Sequence, residues 1–295
     1  MVGHVIQAAR PWTFSWHVPL FFLLAGYLWV DRGEPMRSEV WRRWQRVLVP
    51  YAAWLTLCLA ATWALRAPLH LHKTSRSFVL DGLHGGVRLV GITGPHWFLT
   101  AYAAMVAVLL VTSRIAWWAT HAVCGALAAL AYLFPRWVET WPLSVGAGVA
   151  AGVFVLAGLW LRTVPLPTAR RAFLGAVLAS AGLLGAVLGW WEVIDLRHAS
   201  LGTPVLSAVS ATAISIGIVW ICEGVEHRIP AVIGTQLTRI AEVAVPIMCA
   251  HMLIAVALLL EFHGINPWLR ALLAFAGAAG LGVMIARTPL RSLLV

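Results

Sequence analysis

Charge is what this sequence has least of. Only 11% of its 295 residues are Asp, Glu, Lys or Arg, where a soluble domain carries about a quarter. Lysine is almost missing: Lys73 stands alone among the basic residues, and the rest are arginine. So few charges cannot cover a folded surface with water-seeking groups, which excludes an ordinary soluble domain. Cysteine is scarce as well. Cys58, Cys124, Cys222 and Cys249 sit singly inside apolar runs, at spacings that match neither a metal site nor a disulfide framework, and read as small buried hydrophobes. Internal repeats and low-complexity linkers are absent. The basic residues form no stripe, which excludes nucleic acid as a partner.

What is present is hydrophobic sequence, 61% of the chain. Apolar runs fall at about 18–31, 47–65, 97–113, 116–134, 143–161, 172–191, 204–222, 240–261 and 268–286, each close to the roughly 20 residues that a membrane span requires. The expected fold is all-α: a polytopic integral membrane helical bundle of about nine transmembrane helices, with residues 1–295 forming one domain. Its solvent is the lipid bilayer, and its expected place is the cell (inner or plasma) membrane, crossed many times. Tryptophan gathers at the run ends, among them Trp29, Trp97, Trp117, Trp160 and Trp268, as an interfacial belt requires. Gly148 and Gly152 form one GxxxG, a signal of close helix packing.

The net charge of +10 serves mainly topology. With 31–46 placed in the cytoplasm, thirteen basic residues lie inside and eight outside, the bias expected of a helical membrane protein. That arrangement leaves residues 1–17 on the outer side with no preceding helix to take them there. The chain is therefore expected to lack most of a first helix, encoded in about 15–25 further residues upstream. Restoring it would make ten spans.

Ionisable groups within a membrane are costly and point to function. His251 lies about eleven residues into the run that starts near 240, roughly 16 Å deep. His4 and His17 flank the outer end of the first run. In "RRWQRVLVPY" Arg43 and Arg46 are three apart, so on a helix they project from one face and can fork onto phosphate oxygens. In "GPHWFL" His96 and Trp97 mark a helix start. Each of these alone has an ordinary structural explanation.

Their order changes the reading. "VGHVIQ", "HVPLFFLLAGYL", "RRWQRVLVPYAAW", "PHWFLTAY", "VPIMCAHML" and "RTPLRSLLV" follow one another along the chain, and in this the chain resembles the membrane-bound acyltransferase family 3. Within it, the chain is most similar to the O-acetyltransferase group that includes fucose 4-O-acetylase-like proteins. The resemblance implies an acyltransferase, most readily an O-acetyltransferase. Such a protein moves an acyl group from cytoplasmic acyl-CoA, commonly acetyl-CoA, to a hydroxyl of a cell-envelope glycan, glycolipid or similar acceptor. It gives His4 the place of the catalytic histidine, as general base or transient acyl acceptor, and gives Arg43 and Arg46 the place of the pair that holds the CoA phosphates. His17, Trp97 and His251 stand second. The chain departs from the family pattern at Ala25, where a serine is usual, and at Met248, where a tyrosine is usual. Neither a metal nor a permanently bound cofactor is implied; acyl-CoA is a substrate.

A haem-binding membrane cytochrome is the alternative from another class, because several histidines lie in or near the membrane; a Soret band would mark it. A small-molecule transporter is a third, without the repeated halves such proteins carry. The acceptor is expected to meet the outer connection 66–96, where His70, His72, Asp81 and His84 offer polar contacts.

Overall fold

A computed structural model describes residue 6 and residues 9–30, 33–69 and 75–295. His4, His70, His72 and Lys73 lie outside the described residues. Helices account for nearly all regular structure: α1 (Arg10–Phe14), α2 (His17–Tyr27), α3 (Met36–Ala64), α4 (Ser75–His84), α5 (Trp97–Ile115), α6 (Trp117–Leu133), α7 (Pro135–Glu139), α8 (Val145–Ala150), α9 (Gly152–Leu161), α10 (Thr168–Val187), α11 (Leu206–Val225), α12 (Ala231–Glu242), α13 (Ala244–Glu261), α14 (Pro267–Ile285) and α15 (Arg291–Leu294). The protein is an integral, multi-pass helical membrane protein. In lipid every backbone N–H and C=O must be satisfied within its own segment, and a helix does this.

The expected all-helical, multi-pass bundle is found, with fewer full-length helices than the nine runs. Among the described residues six helices are long and apolar enough to cross a membrane, and a seventh span is possible if Pro142–Ala150 and Gly152–Leu161, bent by 48°, count as one. Every apolar run does form helix, but two helices are short. α2 has 11 residues and ends at Tyr27, well before the end of the run read at 18–31, and α6 has 17, bounded by extended backbone at Ala116 and by Phe134. The run at 240–261 is two elements: α12 ends at Glu242, and α13 begins at Ala244. His251 is therefore the eighth residue of an 18-residue helix, still near its middle. α3 reaches back to Met36, so Arg43 and Arg46 are helical, as their spacing implied.

Local signals set several ends. Asn266 caps α14 by accepting from the backbone N–H groups of Trp268 and Leu269, with Pro267 in the first turn, the arrangement that satisfies otherwise orphaned donors. Two groups of buried side chains form the core. One gathers Phe22, Leu23, Met105, Leu109, Phe154 and Val155 between α2, α5 and α9. The other gathers Tyr51, Trp54, Leu89, Ile92, Cys249 and Leu294 around α3, α13 and α15. Trp29 and Trp97 belong to the core at 7% exposed, and so leave the interfacial belt. Cys222 is exposed, unlike the other three cysteines, which corrects its reading as buried.

Apolar burial gives little driving force between helices in lipid, so close contact must do the holding. α2 and α9 cross at two glycines. A Cβ on Gly26 would come 2.1 Å from the Val155 carbonyl oxygen, and one on Gly158 would come 1.9 Å from that of Leu23. Gly158→Ala is thus expected to push the two helices apart and cost about 1–3 kcal/mol, read as a lower thermal midpoint in detergent. An unchanged midpoint would mean that this crossing carries little of the stability. In the GxxxG, Gly148 lies against the Ala101 carbonyl of α5 and Gly152 against Cys124 of α6. Its two glycines pack on different helices, one on each side of the bend.

Candidate functional site

Three of the residues singled out in the sequence meet at one cavity. His17 from the start of α2, Trp97 from the start of α5 and His251 from the middle of α13 line a space of about 830 Å³. They come from stretches far apart in the chain, and the bundle alone unites them. His17 Nδ1 donates to the Thr13 carbonyl at 2.7 Å. His251 Nδ1 donates to the carbonyls of Met248 and Ile247 at 2.8 and 3.1 Å. In a neutral imidazole this tautomer puts the lone pair on Nε2, where a base or an acyl acceptor needs it. The walls are apolar: Phe14, Val18, Phe21, Phe98, Ile240 and Phe275.

Polar groups collect on the segment between α10 and α11. Asp195, Arg197 and His198 line the cavity together with Arg10. Arg10 pairs with Asp195 at 3.6 Å and lies over the Phe14 ring at 4.7 Å. His198 faces Glu139 at 3.1 Å. Arg197 Nη2 donates to the backbone carbonyls of Val87 and Leu89. Burial pushes the Arg197 guanidinium down from its ordinary value, opposed by Asp195 and Glu139. Arg10 and Arg197 could not be singled out in the sequence beyond their charge, because Asp195 and the carbonyls of Val87 and Leu89 that they respectively meet lie more than a hundred residues away. Asp81 and His84 of α4 are not among the lining residues. Nor is His96, which is fully buried with Nδ1 donating to Thr93 at 3.1 Å, as its structural reading requires.

The two arginines of the RxxR are placed differently. Arg43 is bound into a buried network around Glu39, whose side chain is 0% exposed. Glu39 Oε1 accepts from Arg43 Nη2 at 2.6 Å and from Nε at 3.0 Å, and Oε2 accepts from Arg114 Nη2 at 2.7 Å. A buried carboxylate persists only when paired in this way. Arg43 also donates to the Val30 carbonyl at 2.9 Å and lies over the Trp29 ring at 4.3 Å, and Arg162 donates to the Trp29 carbonyl. These contacts bind guanidinium groups to the carbonyls just past the C-terminal end of α2, where positive charge is favoured. Arg46, one turn further along α3, is exposed.

No cluster of three or more His, Cys, Asp or Glu side chains that could hold a metal ion occurs among the described residues. The sequence profile of a family described as an acyltransferase domain matches residues 1–287. No curated protein matches the chain, and no solved structure does.

Proposed function

The chain belongs to the acyltransferase 3 family, and from that premise we propose that it moves an acyl group, acetyl in the first instance, from acyl-CoA to a hydroxyl of a cell-envelope glycan or lipid. The observation that carries this reading is the shared cavity, which joins His17, Trp97 and His251 in one apolar space. Apolar walls keep water from competing with the acceptor for the acyl group.

In the proposed reaction the acceptor oxygen attacks the thioester carbonyl carbon as an imidazole takes the hydroxyl proton. The C–S bond breaks, and the CoA thiolate leaves and recovers that proton. His4 supplies the imidazole. It is six residues from Arg10, which lines the cavity, and six residues of chain reach at most about 20 Å. Imidazole suits the role because its pKa lies near neutrality. His17 and His251 shape the cavity wall. Arg46, exposed on α3, binds a donor phosphate, and Arg43 supports the same face of the helix from its pairing with Glu39.

The test is direct. Purified protein in lipid nanodiscs, given acetyl-CoA labelled in the acetyl group together with a membrane extract, is expected to label a glycan or lipid fraction. Label that stays wholly in acetyl-CoA and free acetate would overturn the reading.

A further inference from the structure

Arg197 is a half-buried cation in the cavity wall with no carboxylate in direct ion pair among the described residues, although Asp195 and Glu139 lie near enough to favour its charge. Its Nη2 is used on the carbonyls of Val87 and Leu89. Its Nε is buried with no hydrogen-bond partner among the described residues. The two nearby carboxylates are engaged elsewhere, Asp195 with Arg10 and Glu139 with His198. Among the residues lining the cavity, the fixed charges are Arg10 and Arg197 against Asp195 alone. With the histidines neutral the lining alone therefore carries one positive charge in excess, which Glu139, facing His198 just outside the lining, partly offsets. A half-buried guanidinium with one N–H left unused at a cavity wall is costly, and an oxyanion of a ligand would complete it.

We propose that Arg197 is the docking point for an oxyanion, phosphate or carboxylate, carried by the acceptor, and that the acceptor is an anionic amphiphile. The oxyanion takes the excess charge at Arg197, where a charge-assisted hydrogen bond is strongest. The apolar portion lies along Phe14, Phe98 and Ile240, which line the same cavity. The two backbone carbonyls hold the guanidinium in place before the ligand arrives, so little side-chain freedom is lost on binding. Identifying the bound molecule as the acceptor rests on the acyl-transfer reading; the oxyanion site itself does not.

Binding of octyl phosphate, octyl glucoside and inorganic phosphate to the protein in phosphatidylcholine nanodiscs tests this. Octyl phosphate is expected to bind at least about tenfold more tightly than octyl glucoside, the effect of one charge-assisted contact. Arg197→Gln should abolish that preference, and Arg197→Lys should keep part of it. Equal binding of the two octyl compounds by the unaltered protein overturns the proposal without any variant needing to fold. A preference that survives Arg197→Gln also overturns it, and leaves Arg197 as a staple for the 86–89 turn. Inorganic phosphate that binds as tightly as octyl phosphate removes the amphiphile. The labelled-acetyl experiment separates the two readings. Octyl phosphate preference with no transfer removes the acyl-transfer reading and the acceptor's identity, whereas transfer without the preference removes the oxyanion site alone.

Discussion

Replacing His4 with alanine is expected to lower acyl transfer by about 10²–10⁴-fold, the usual cost of removing a general base, while acyl-CoA binding stays intact. The contrast follows from the proposed chemistry, because the imidazole acts on the acceptor proton and makes no contact with the CoA phosphates. His17→Ala and His251→Ala should cost less, since both histidines line the wall and shape it. His121 is the control. It is exposed on α6, its Nδ1 donates to the Trp117 carbonyl of its own helix, and its loss should leave transfer unchanged. Equal losses at His4 and His121 would show that the assay reports folding, and His4 would lose its role.

The two arginines of the RxxR should separate on substitution. Arg46→Gln removes an exposed guanidinium from α3 and is expected to weaken acyl-CoA binding by roughly tenfold to a hundredfold, the equivalent of about 1.5–3 kcal/mol for one charge-assisted contact. Its thermal midpoint should not move. Even Arg46→Lys should lose affinity, because a point charge does not reproduce the planar fork. Arg43→Ala should do something different. It leaves the fully buried Glu39 carboxylate paired with Arg114, and breaking a buried pair from one side costs about 3 kcal/mol. It also removes the cation from the Trp29 ring and the Val30 carbonyl. Loss of thermal stability should therefore dominate at Arg43, and loss of donor affinity at Arg46. If Arg46 variants bind acyl-CoA as the unaltered protein does, Arg46 is a topology anchor only.

Much of this fold was legible because membrane helices are written locally. Each apolar run became helix, since lipid leaves the backbone no other way to satisfy itself. The errors fell where a single residue decides. The break at Ala116, extended at φ −168°, fell between two runs read as separate, but nothing in the composition at Val243 announces that it separates α12 from α13. α12 carries apolar and polar residues on different faces, so its apolar face merged with α13 into one long run. The site was half legible. His17, Trp97 and His251 stood out by type and motif, and Arg43 and Arg46 by spacing. Glu39 did not, because a carboxylate in a basic helix start reads as surface charge, whereas here it is fully buried between two guanidinium groups. Arg197 could not be singled out at all. Its meaning comes from the carbonyls of Val87 and Leu89, and no local pattern encodes that meeting.

The length of α2 has an electrical consequence. Its 11 residues rise about 16 Å, against a hydrocarbon core of about 30 Å. Charged groups stand close to both its ends: Arg10 with Asp195 before it, and Arg43 and Arg162 on the carbonyls of Val30 and Trp29 after it. If those charged groups mark the polar boundaries at α2, the apolar path beside the cavity is shorter than that core. A membrane voltage falls where the insulator is, so a shorter apolar path at α2 would steepen the field there. An anion drawn to the cavity would feel that field as well as the charge of Arg197, and the polarity of the membrane would add to or oppose its binding.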